Sequence, residues 1–457
     1  MLKTKKRGFK IICLALTVMM VFSMMPITAA IGEDDSFMCD ETREMYRMMR
    51  ASAERSARQE RALGAWELLF TTQFTINHDS SVTYSGKFAG GWLDNDKLYV
   101  SITCEIATEF YRELLSDFAD VVRFVTATYT LNELNEIRMA VDEILFDRGY
   151  QIVSHYVNVQ QNRISLRFLE LDEETERSIE ASLSLVLPEL SAALPEMTDA
   201  RGRSIARTLD MDLFVLSEDS LVVLDTPEYT EVSPRGAGPI GQNVMGGQPI
   251  HVGTIGIAGT FVDNGVRVNG FVTHGHSPSM NGMSIRRANS TQQLGQVRRV
   301  NFGSWVWGDW SLVRITNGDA ITNRLQNPHN PNPAGNVRIT HGVRTFYQPP
   351  GRILNSFGAT SGFREKVVTS GNVVRLIGDP NRGIPPVWIQ GLTEARIVHG
   401  AVDRGDSGGP VWGFNMNDMT SNTFVGIIVA GIGGIGAHVL FTPYMRFPRY
   451  FTARTTD

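Results

Sequence analysis

The chain has 457 residues, and its 43 basic and 48 acidic side chains give a formal charge of −5. Apolar residues make up 42% and charged residues 20%, a balance with enough apolar side chains for two or three cores. This composition excludes a disordered protein, a collagen-like repeat and a polytopic membrane protein.

Charge and glycine are distributed unevenly along the chain. Residues 31–245 carry 19 basic and 38 acidic side chains, a net of −19, with 10 glycines. Residues 246–457 carry 19 basic and 10 acidic side chains, a net of +9, with 32 glycines. We interpret the halves as two unlike domains whose opposite potentials favour association. The alternative is that each charge only keeps its own half soluble.

The first 30 residues have the pattern of a secretory signal peptide. Five basic side chains precede an uncharged apolar run over residues 11–25, and Thr28 and Ala30 provide the small residues of a cleavage site. The apolar run is shorter than the roughly 20 residues of a spanning helix, which makes a membrane anchor the weaker alternative. We therefore predict a secreted, extracellular protein without stable membrane association after signal cleavage.

Two cysteines, Cys39 and Cys104, remain after this cleavage, and both lie in the acidic half. Secretion permits a disulfide between them, but we favour two unpaired thiols. Residues 246–457 contain no cysteine, so neither thiolate catalysis nor a cysteine-ligated metal is available there.

The acidic half is predicted to be an α+β unit. In chain order its elements are a helix over 40–70, a hairpin over 88–103, a helix over 105–117, a strand over 121–129, a helix from Thr130 toward Leu145, a hairpin over 152–168, a helix over 172–197 and a strand pair over 212–224. The start at Thr130 rests on the sequence T-L-N-E, which is a capping box. His78 and His155 have no neighbouring partners in the sequence and are interpreted as structural.

Residues 226–245 are rich in Pro, Gly and Gln, which predicts an exposed and cleavable linker. From residue 246 onward, short segments of β-branched and aromatic residues are separated by Gly, Asn and Pro. This pattern predicts an all-β sandwich or barrel. Only the last dozen residues have a pattern compatible with a helix.

The C-terminal half contains a candidate for each group that acyl transfer requires: a nucleophile, an oriented base and oxyanion donors. The most specific motif is GDSGGP at 405–410, in which glycines on both sides of Ser407 allow a tight turn. The alternative is a glycine-rich surface turn.

Two histidines are candidates for the base, because GFVTHGHS ends an apolar strand at His274 and His276. Asp309 lies in WVWGDWSLVRI, where a carboxylate among tryptophans is costly unless it is hydrogen-bonded. An acid in such surroundings suits the third member of a triad. The alternative is an acid in a turn at the end of a strand.

Together these motifs resemble the chymotrypsin superfamily, nearest to the streptogrisin and alpha-lytic endopeptidase group. The resemblance implies two six-stranded antiparallel β-barrels, a triad of His276, Asp309 and Ser407, and an oxyanion hole made by the N–H groups of Gly405 and Ser407. It places His274 where Ala is usual. It implies hydrolysis of protein or peptide substrates through an acyl-enzyme, without a cofactor, a metal or nucleic acid.

The acidic half is similar to the pro regions of these proteases. GGWLDNDKLYVSIT, VVRFVTATYTLNELNEI and the 151–168 hairpin carry the likeness. The resemblance implies that residues 31–245 fold the protease domain at 246–457, inhibit it and are then removed.

Two departures from the family pattern are visible. The cysteines that brace the histidine loop and the specificity pocket in relatives are absent. The Arg that pairs with the Asp before the nucleophile falls at Asn355, so Asp406 needs another cation. Arg352, Arg364 and Arg404 are candidates that the sequence does not rank.

Family alignment also indicates the residues of the primary specificity pocket, which are Ala401, Val402, Ala430, Gly431 and Val439. No acid lies at its base, which argues against a preference for Arg or Lys. His438 is close to this wall and would favour Glu if it pointed inward, whereas a strand-edge role is the plainer interpretation. We favour apolar substrates.

Three other functions compete with a general endopeptidase. An α/β-hydrolase esterase is opposed by Pro410 and the β-rich tail. A binding module with a degenerate protease fold is opposed by the complete triad. A protease that cleaves only its own junction is compatible with every motif.

Overall fold

The structure is a computed structural model that describes residues 40–77, 82–194, 197–198, 204–205, 208–220, 222–223, 243–277, 280–288, 290–326, 337–379, 384–415, 418–432 and 437–456. The predicted signal peptide, Cys39, His78 and most of the predicted linker lie outside these residues. The chain divides into two compact units, of which the first ends at Met48 and the second spans Met49–Asp457. The described part of the first unit is the start of a helix.

The described residues of the acidic half form a mixture of helices and strands, as predicted. The helices are α1 (Asp40–Gln73), α2 (Glu105–Leu114), α3 (Leu131–Asp147) and α4 (Glu173–Ala193). The strands are β1 (Thr75–Ile76), β2 (Val82–Thr83), β3 (Phe88–Asp94), β4 (Lys97–Ile102), β5 (Val122–Thr126), β6 (Ile152–Asn158), β7 (Arg163–Phe168), β8 (Met197–Thr198), β9 (Ser204–Ile205), β10 (Phe214–Glu218) and β11 (Val222–Val223).

Local chemistry explains three of these elements. The Thr130 side chain accepts the Glu133 N–H at 3.2 Å, and the Glu133 carboxylate accepts the Thr130 N–H at 2.7 Å, which confirms the capping box. The β3–β4 hairpin turns at Asn95, whose φ of 55° is a conformation that Asn tolerates. The thiol of Cys104 is free and accepts the Ala107 N–H at 3.4 Å at the start of α2.

The described residues of the C-terminal half are almost entirely strands. They are β12 (Asn243–Gly246), β13 (Pro249–Ile250), β14 (Gly253–Thr254), β15 (Ile257–Asp263), β16 (Val266–Thr273), β17 (Ser284–Arg286), β18 (Gln293–Asn301), β19 (Val306–Trp307), β20 (Trp310–Ile315), β21 (Ala320–Leu325), β22 (Val337–Val343), β23 (Ile353–Gly358), β24 (Gly362–Asp379), β25 (Ile384–Ile397), β26 (Pro410–Asn415), β27 (Asp418–Ile432), β28 (His438–Pro443) and β29 (Thr452–Ala453). The first strand begins at Asn243, a few residues before the predicted boundary at 246.

Two sheets organise this half among the described residues. A six-stranded sheet has the order β17-β18-β20-β16-β15-β29, and a fourteen-stranded sheet contains β21 to β28. Each encloses its own apolar cluster, with Phe271 and Val313 in the first and Leu354 and Val411 in the second. The β-rich content agrees with the prediction, whereas an arrangement as two six-stranded barrels stays a prediction.

The larger sheet continues from the C-terminal half into the acidic half. Strand β6 pairs antiparallel with β24, where His155 lies opposite Val374 and Ser154 lies opposite Arg375. Side chains of α3, β6 and β7 form one apolar cluster with Val374 and Trp388. Backbone pairing and apolar packing therefore join the halves.

Two sequence expectations were wrong. The strands over 212–224 exist but do not pair with each other, because β10 pairs with β7 and β11 pairs with β24. Arg375 holds the segment between them by donating to Asp219 Oδ2 at 2.6 Å and to the Ser220 carbonyl at 2.8 Å.

The described part of the last dozen residues contains no α-helix. Residues Thr452–Ala453 instead pair with β15, and Phe447 and Phe451 are buried. This edge pairing satisfies backbone groups that a helix would otherwise satisfy.

An ion-pair network crosses the junction between the halves. The Arg167 guanidinium on β7 donates to both carboxylate oxygens of Glu394 on β25, at 3.1 and 3.0 Å, and to Asp219 Oδ2 at 3.2 Å. Glu394 is fully buried, and its carboxylate also accepts a bond from His438 Nδ1 at 2.6 Å. These partners hold the pKa of Glu394 below its usual value despite burial, with the His438 hydrogen bond the largest favourable contribution.

No described helix is both long enough and apolar enough to cross a membrane.

Replacing Arg167 with Met is expected to lower the free energy of unfolding by about 3 kcal/mol, because it leaves the buried Glu394 carboxylate without its cation. The measurement is chemical denaturation in a Ser407→Ala background, in which the predicted self-cleavage cannot split the chain. The matched control is Arg163→Met, which removes an exposed Arg from the same strand. Equal midpoints for the two variants would contradict the role of this network.

Candidate active site

The rim of the six-stranded sheet brings His276 and Asp309 together. Strand β16 ends at Thr273 and β20 begins at Trp310, and the pairing of Thr273 with Ser311 aligns these ends. His276 Nδ1 lies 2.5 Å from Asp309 Oδ2, and both side chains are fully buried. Asp309 Oδ1 accepts the Gly275 N–H at 2.6 Å. Both oxygens of the Asp309 carboxylate therefore accept hydrogen bonds, which offset the cost of burying its charge.

Asp309 is also fixed through its backbone. Thr442 on β28 accepts the Asp309 N–H at 2.9 Å and donates to the Asp309 carbonyl at 3.1 Å. This tie joins the two sheets at the site. Thr442 was not found from the sequence, because its position 133 residues away gives no local signal.

The second candidate base, His274, is adjacent but differently bonded. Its ring lies 4.2 Å from the His276 ring, centroid to centroid, and its Nδ1 lies 3.2 Å from Thr273 Oγ1. Burial, and then the His276 imidazole, lower the pKa of His274 well below its usual value. The geometry therefore assigns the carboxylate partner to His276 and leaves His274 neutral.

Ser407 lies beside His274 on a glycine-rich loop. A Cβ on Gly253 would lie 2.5 Å from His274 Cε1 and 2.6 Å from the Ser407 carbonyl oxygen, so these groups pack around one bare backbone position. Gly408 has a φ of +87°, and a Cβ there would lie 2.2 Å from the Thr254 carbonyl. The glycines next to Ser407 are thus required by close approach and by conformation.

The Ser407 hydroxyl donates to the Val429 carbonyl at 2.9 Å. Within the described residues, His276 Nε2 is buried and has no hydrogen-bond partner. The structure therefore contains the bond between His276 and Asp309 but not a bond between Ser407 and His276.

The two predicted oxyanion donors lie on the same turn. Gly405 has a φ of +92°, and its carbonyl accepts the Thr254 hydroxyl at 2.6 Å. The Ser407 carbonyl accepts the Thr254 N–H at 2.9 Å. Thr254, which the sequence did not single out, therefore holds the turn on both sides of Asp406. Among the described residues, neither the Gly405 nor the Ser407 N–H donates to a backbone carbonyl.

The Asp406 carboxylate is almost fully buried behind this turn. It accepts the N–H groups of Thr360, Ser361 and Asp403 at 2.9, 3.0 and 2.8 Å. Burial raises the pKa of Asp406 above its usual value, against the effect of these hydrogen bonds.

Asn355 does not face Asp406. Its side chain accepts the Ser52 hydroxyl of α1 at 2.8 Å, on the opposite face of β23. The position at which the resemblance expects an Arg is therefore occupied by a contact with the acidic half.

Four of the six predicted pocket residues lie on the paired strands β27 and β28, where Gly431 is opposite Val439. Val402 and Gly431 face each other, since a Cβ on Gly431 would lie 2.5 Å from Val402 Cγ2. Val439 is fully buried in the cluster that Val402 contacts, whereas Ala430 belongs to another cluster, together with Val222 of the acidic half.

The other two residues lie at the edges of this region. Ala401 accepts a hydrogen bond from Arg364 Nε at 3.0 Å through its carbonyl. The His438 side chain is 33% exposed, and its Nδ1 is bound to Glu394.

The described residues contain no group of three His, Cys, Asp or Glu side chains that could hold a metal ion.

No protein-family model matches the sequence, and no curated protein matches it significantly. Protease A of Thermobifida fusca is 23% identical, and the similarity covers 47% of this chain and 100% of that chain with a TM-score of 0.35. A Nocardiopsis protease is 21% identical over 47% of this chain and 100% of that chain, with a TM-score of 0.36. Cellulomonas bogoriensis chymotrypsin is 22% identical, and the similarity covers 47% of this chain and 100% of that chain with a TM-score of 0.34. These three solved structures are all proteases.

Replacing Gly358 with Ala is expected to destabilise the protein by about 2–3 kcal/mol, because the new Cβ would lie 2.1 Å from Asp406 Cγ and would push the carboxylate off its donors. Chemical denaturation in a Ser407→Ala background, in which both halves stay joined, measures the change. Gly86→Ala in the same background is the control, since a Cβ there meets nothing within 4 Å. Unfolding midpoints that agree for the two variants would contradict this account of the loop.

Proposed function

We propose that the protein is a secreted serine endopeptidase made with an N-terminal pro region. The observation that carries the proposal is the buried bond between His276 Nδ1 and Asp309 Oδ2. Ser407 lies near this bond, on a loop that contains the glycines of the GDSGGP motif. A carboxylate that accepts the Nδ1 proton fixes the tautomer in which Nε2 is a base.

In the proposed reaction, Ser407 Oγ attacks the peptide carbonyl carbon while His276 Nε2 takes the hydroxyl proton. Asp309 stabilises the resulting imidazolium, which then donates that proton to the leaving amine. Water repeats these steps to hydrolyse the acyl-enzyme. The N–H groups of Gly405 and Ser407 stabilise the oxyanion, each contributing about 3–4 kcal/mol in the transition state.

The orientation of Ser407 suits a form that is not yet active. Its hydroxyl donates to Val429 instead of His276, so a rotation about the Cα–Cβ bond has to precede attack. Catalytic hydrogen bonds often form only in the substrate complex.

Three observations support a pro region in the acidic half. Strand β6 extends the sheet at β24, Arg167 neutralises a buried carboxylate of the other half, and Val222 packs with Ala430. The acidic half thus packs against Ala430, a residue of the predicted specificity pocket. The opposite net charges of the halves favour the same association.

The proposed maturation bond lies before Asn243. Strand β12 pairs with β21, Val244 is fully buried, and the Gly246 carbonyl accepts the Gln326 N–H at 2.7 Å. A protease cleaves an exposed and extended backbone, and the paired strand β12 does not offer one. We therefore place the cleavage site in the predicted linker upstream of Asn243.

The intact mass of the secreted product tests the proposal, with wild type and Ser407→Ala expressed in parallel. Self-processing predicts that the wild type loses roughly 200 residues while Ser407→Ala stays full length, because removing the nucleophile costs about 10⁶ in rate. Identical cleavage of both chains would show maturation by another protease. Two uncut chains would favour a permanent partner domain and a binding function.

Activity of the matured protein on casein separates a general endopeptidase from a protease that cleaves only its own junction. We expect casein hydrolysis by the matured wild type, and self-processing that Asp309→Asn slows about 10⁴-fold, because the imidazole loses its tautomer. Self-processing without casein hydrolysis would favour the restricted protease.

The contact of Val402 with Gly431 predicts a narrow pocket that favours small apolar side chains. Replacing Val402 with Ala is expected to raise kcat/KM about tenfold for a peptide with Phe before the scissile bond, and little for its Ala counterpart. Paired peptide assays measure this ratio. An unchanged ratio, or a preference for Glu, would contradict the assignment and favour His438 as the determinant.

A further inference from the structure

We propose that Lys366 is a positioning residue, which supplies the positive charge that Asp406 requires and thereby holds the loop that carries Ser407. The inference rests on the proposed function, because it gives the loop a catalytic role. The inference also names a cation for Asp406, a role for which the sequence suggested only arginines.

Lys366 is unusual in its composition and its location. It is the only lysine between residues 243 and 457, where every other basic residue is Arg or His. It lies on β24 and is fully buried. Lysine is almost never fully buried unless it is paired. Its ammonium donates to Ser356 Oγ on the neighbouring strand β23.

Strand geometry brings this ammonium to the face where Asp406 lies. Ser356 and Gly358 are two residues apart on β23, so they share a face and lie about 7 Å from each other. Lys366 reaches Ser356, and the Asp406 carboxyl covers Gly358, where a Cβ would lie 2.1 Å from its Cγ. The two buried charges are therefore neighbours along one strand face.

Electrostatics support the pairing. Burial lowers the pKa of Lys366 to about 7, and Asp406 is the charge that opposes this shift, whereas Arg364 adds to it. Of the two charged groups that influence the pKa of Lys366, Asp406 is thus the one that favours the protonated ammonium.

The arginines suggested by the sequence are less suited to this role. Arg352 interacts electrostatically with Arg344, Glu60 and Glu67 instead of Asp406. Arg364 does interact with Asp406, but its guanidinium donates to the carbonyls of Ala401 and Phe363. Arg404 is exposed.

The consequence for catalysis follows from what Asp406 holds. Its carboxylate gathers the N–H groups of Thr360, Ser361 and Asp403, which fixes the backbone on both sides of the turn. The two oxyanion donors belong to that turn. An ammonium that keeps Asp406 ionised therefore keeps those donors aimed at the position of the oxyanion.

The test measures the second-order rate at which a fluorophosphonate probe labels Ser407 in the secreted protein, together with kcat and KM on a peptide. Lys366→Met has a similar volume and no charge, and we expect it to lower labelling and kcat about 10²-fold with little change in KM. Lys366→Arg keeps the charge and should stay within about tenfold of wild type. This charge rescue separates positioning from packing.

A double-mutant cycle tests whether Lys366 acts through Asp406. If it does, Lys366→Met should slow an Asp406→Asn protein by no more than about threefold, because no carboxylate remains to be paired. The exposed Arg267→Met, which stays in the C-terminal half after maturation, is the control for loss of a positive charge. Circular dichroism establishes that each variant is folded.

Three results would overturn the proposal while leaving the proposed function intact. The first is a Lys366→Met protein that is labelled at the wild-type rate while Ser407→Ala is not labelled. The second is Lys366→Arg labelled as slowly as Lys366→Met. The third is a double-mutant cycle in which the losses from Lys366→Met and Asp406→Asn add fully. Wild type and Ser407→Ala labelled alike would instead overturn the proposed function, and with it the role of Lys366.

Discussion

Burial of carboxylates is the constraint on which this C-terminal half depends. Asp309, Glu394 and Asp406 are almost completely inaccessible, and a buried carboxylate is stable only when donors or cations surround it. Each of the three draws those partners from distant parts of the chain. These three acids therefore connect the rim of the six-stranded sheet, the turn that carries Ser407 and the junction with the acidic half.

The three acids differ in the kind of partner that stabilises them, and this difference matches their positions. Asp309 is satisfied by an imidazole and an N–H of its own sheet, so its site is complete within the C-terminal half. Glu394 shares its carboxylate between His438 and Arg167, so part of its stabilisation belongs to the acidic half. The proposed removal of that half would therefore take a partner from Glu394 but none of the side-chain partners of Asp309.

Local patterns predicted local structure well, as the Thr130 capping box and the turn at Asn95 show. The sequence also singled out His276, Asp309 and Ser407 as candidates, because each lies in a short and distinctive string, and the structure brings His276 and Asp309 into contact. Thr254, Thr442 and Lys366 were missed, since each acts across strands that are distant in sequence. The strands at 214–218 and 222–223 were recognised but given the wrong partners, because their true partners β7 and β24 are distant in sequence and leave no local signal.

The pairing of β6 with β24 has a consequence if the acidic half is removed as proposed. Loss of β6 leaves the backbone of β24 near Val374 and Arg375 as an open sheet edge. Such edges invite pairing with other chains and lead to aggregation unless a charge or a bulge protects them. Arg375 then loses Asp219 as its partner, and irregular register between β24 and β25 surrounds it. Arg375, which binds the acidic half, would then supply a charge at the exposed edge that disfavours edge-to-edge association.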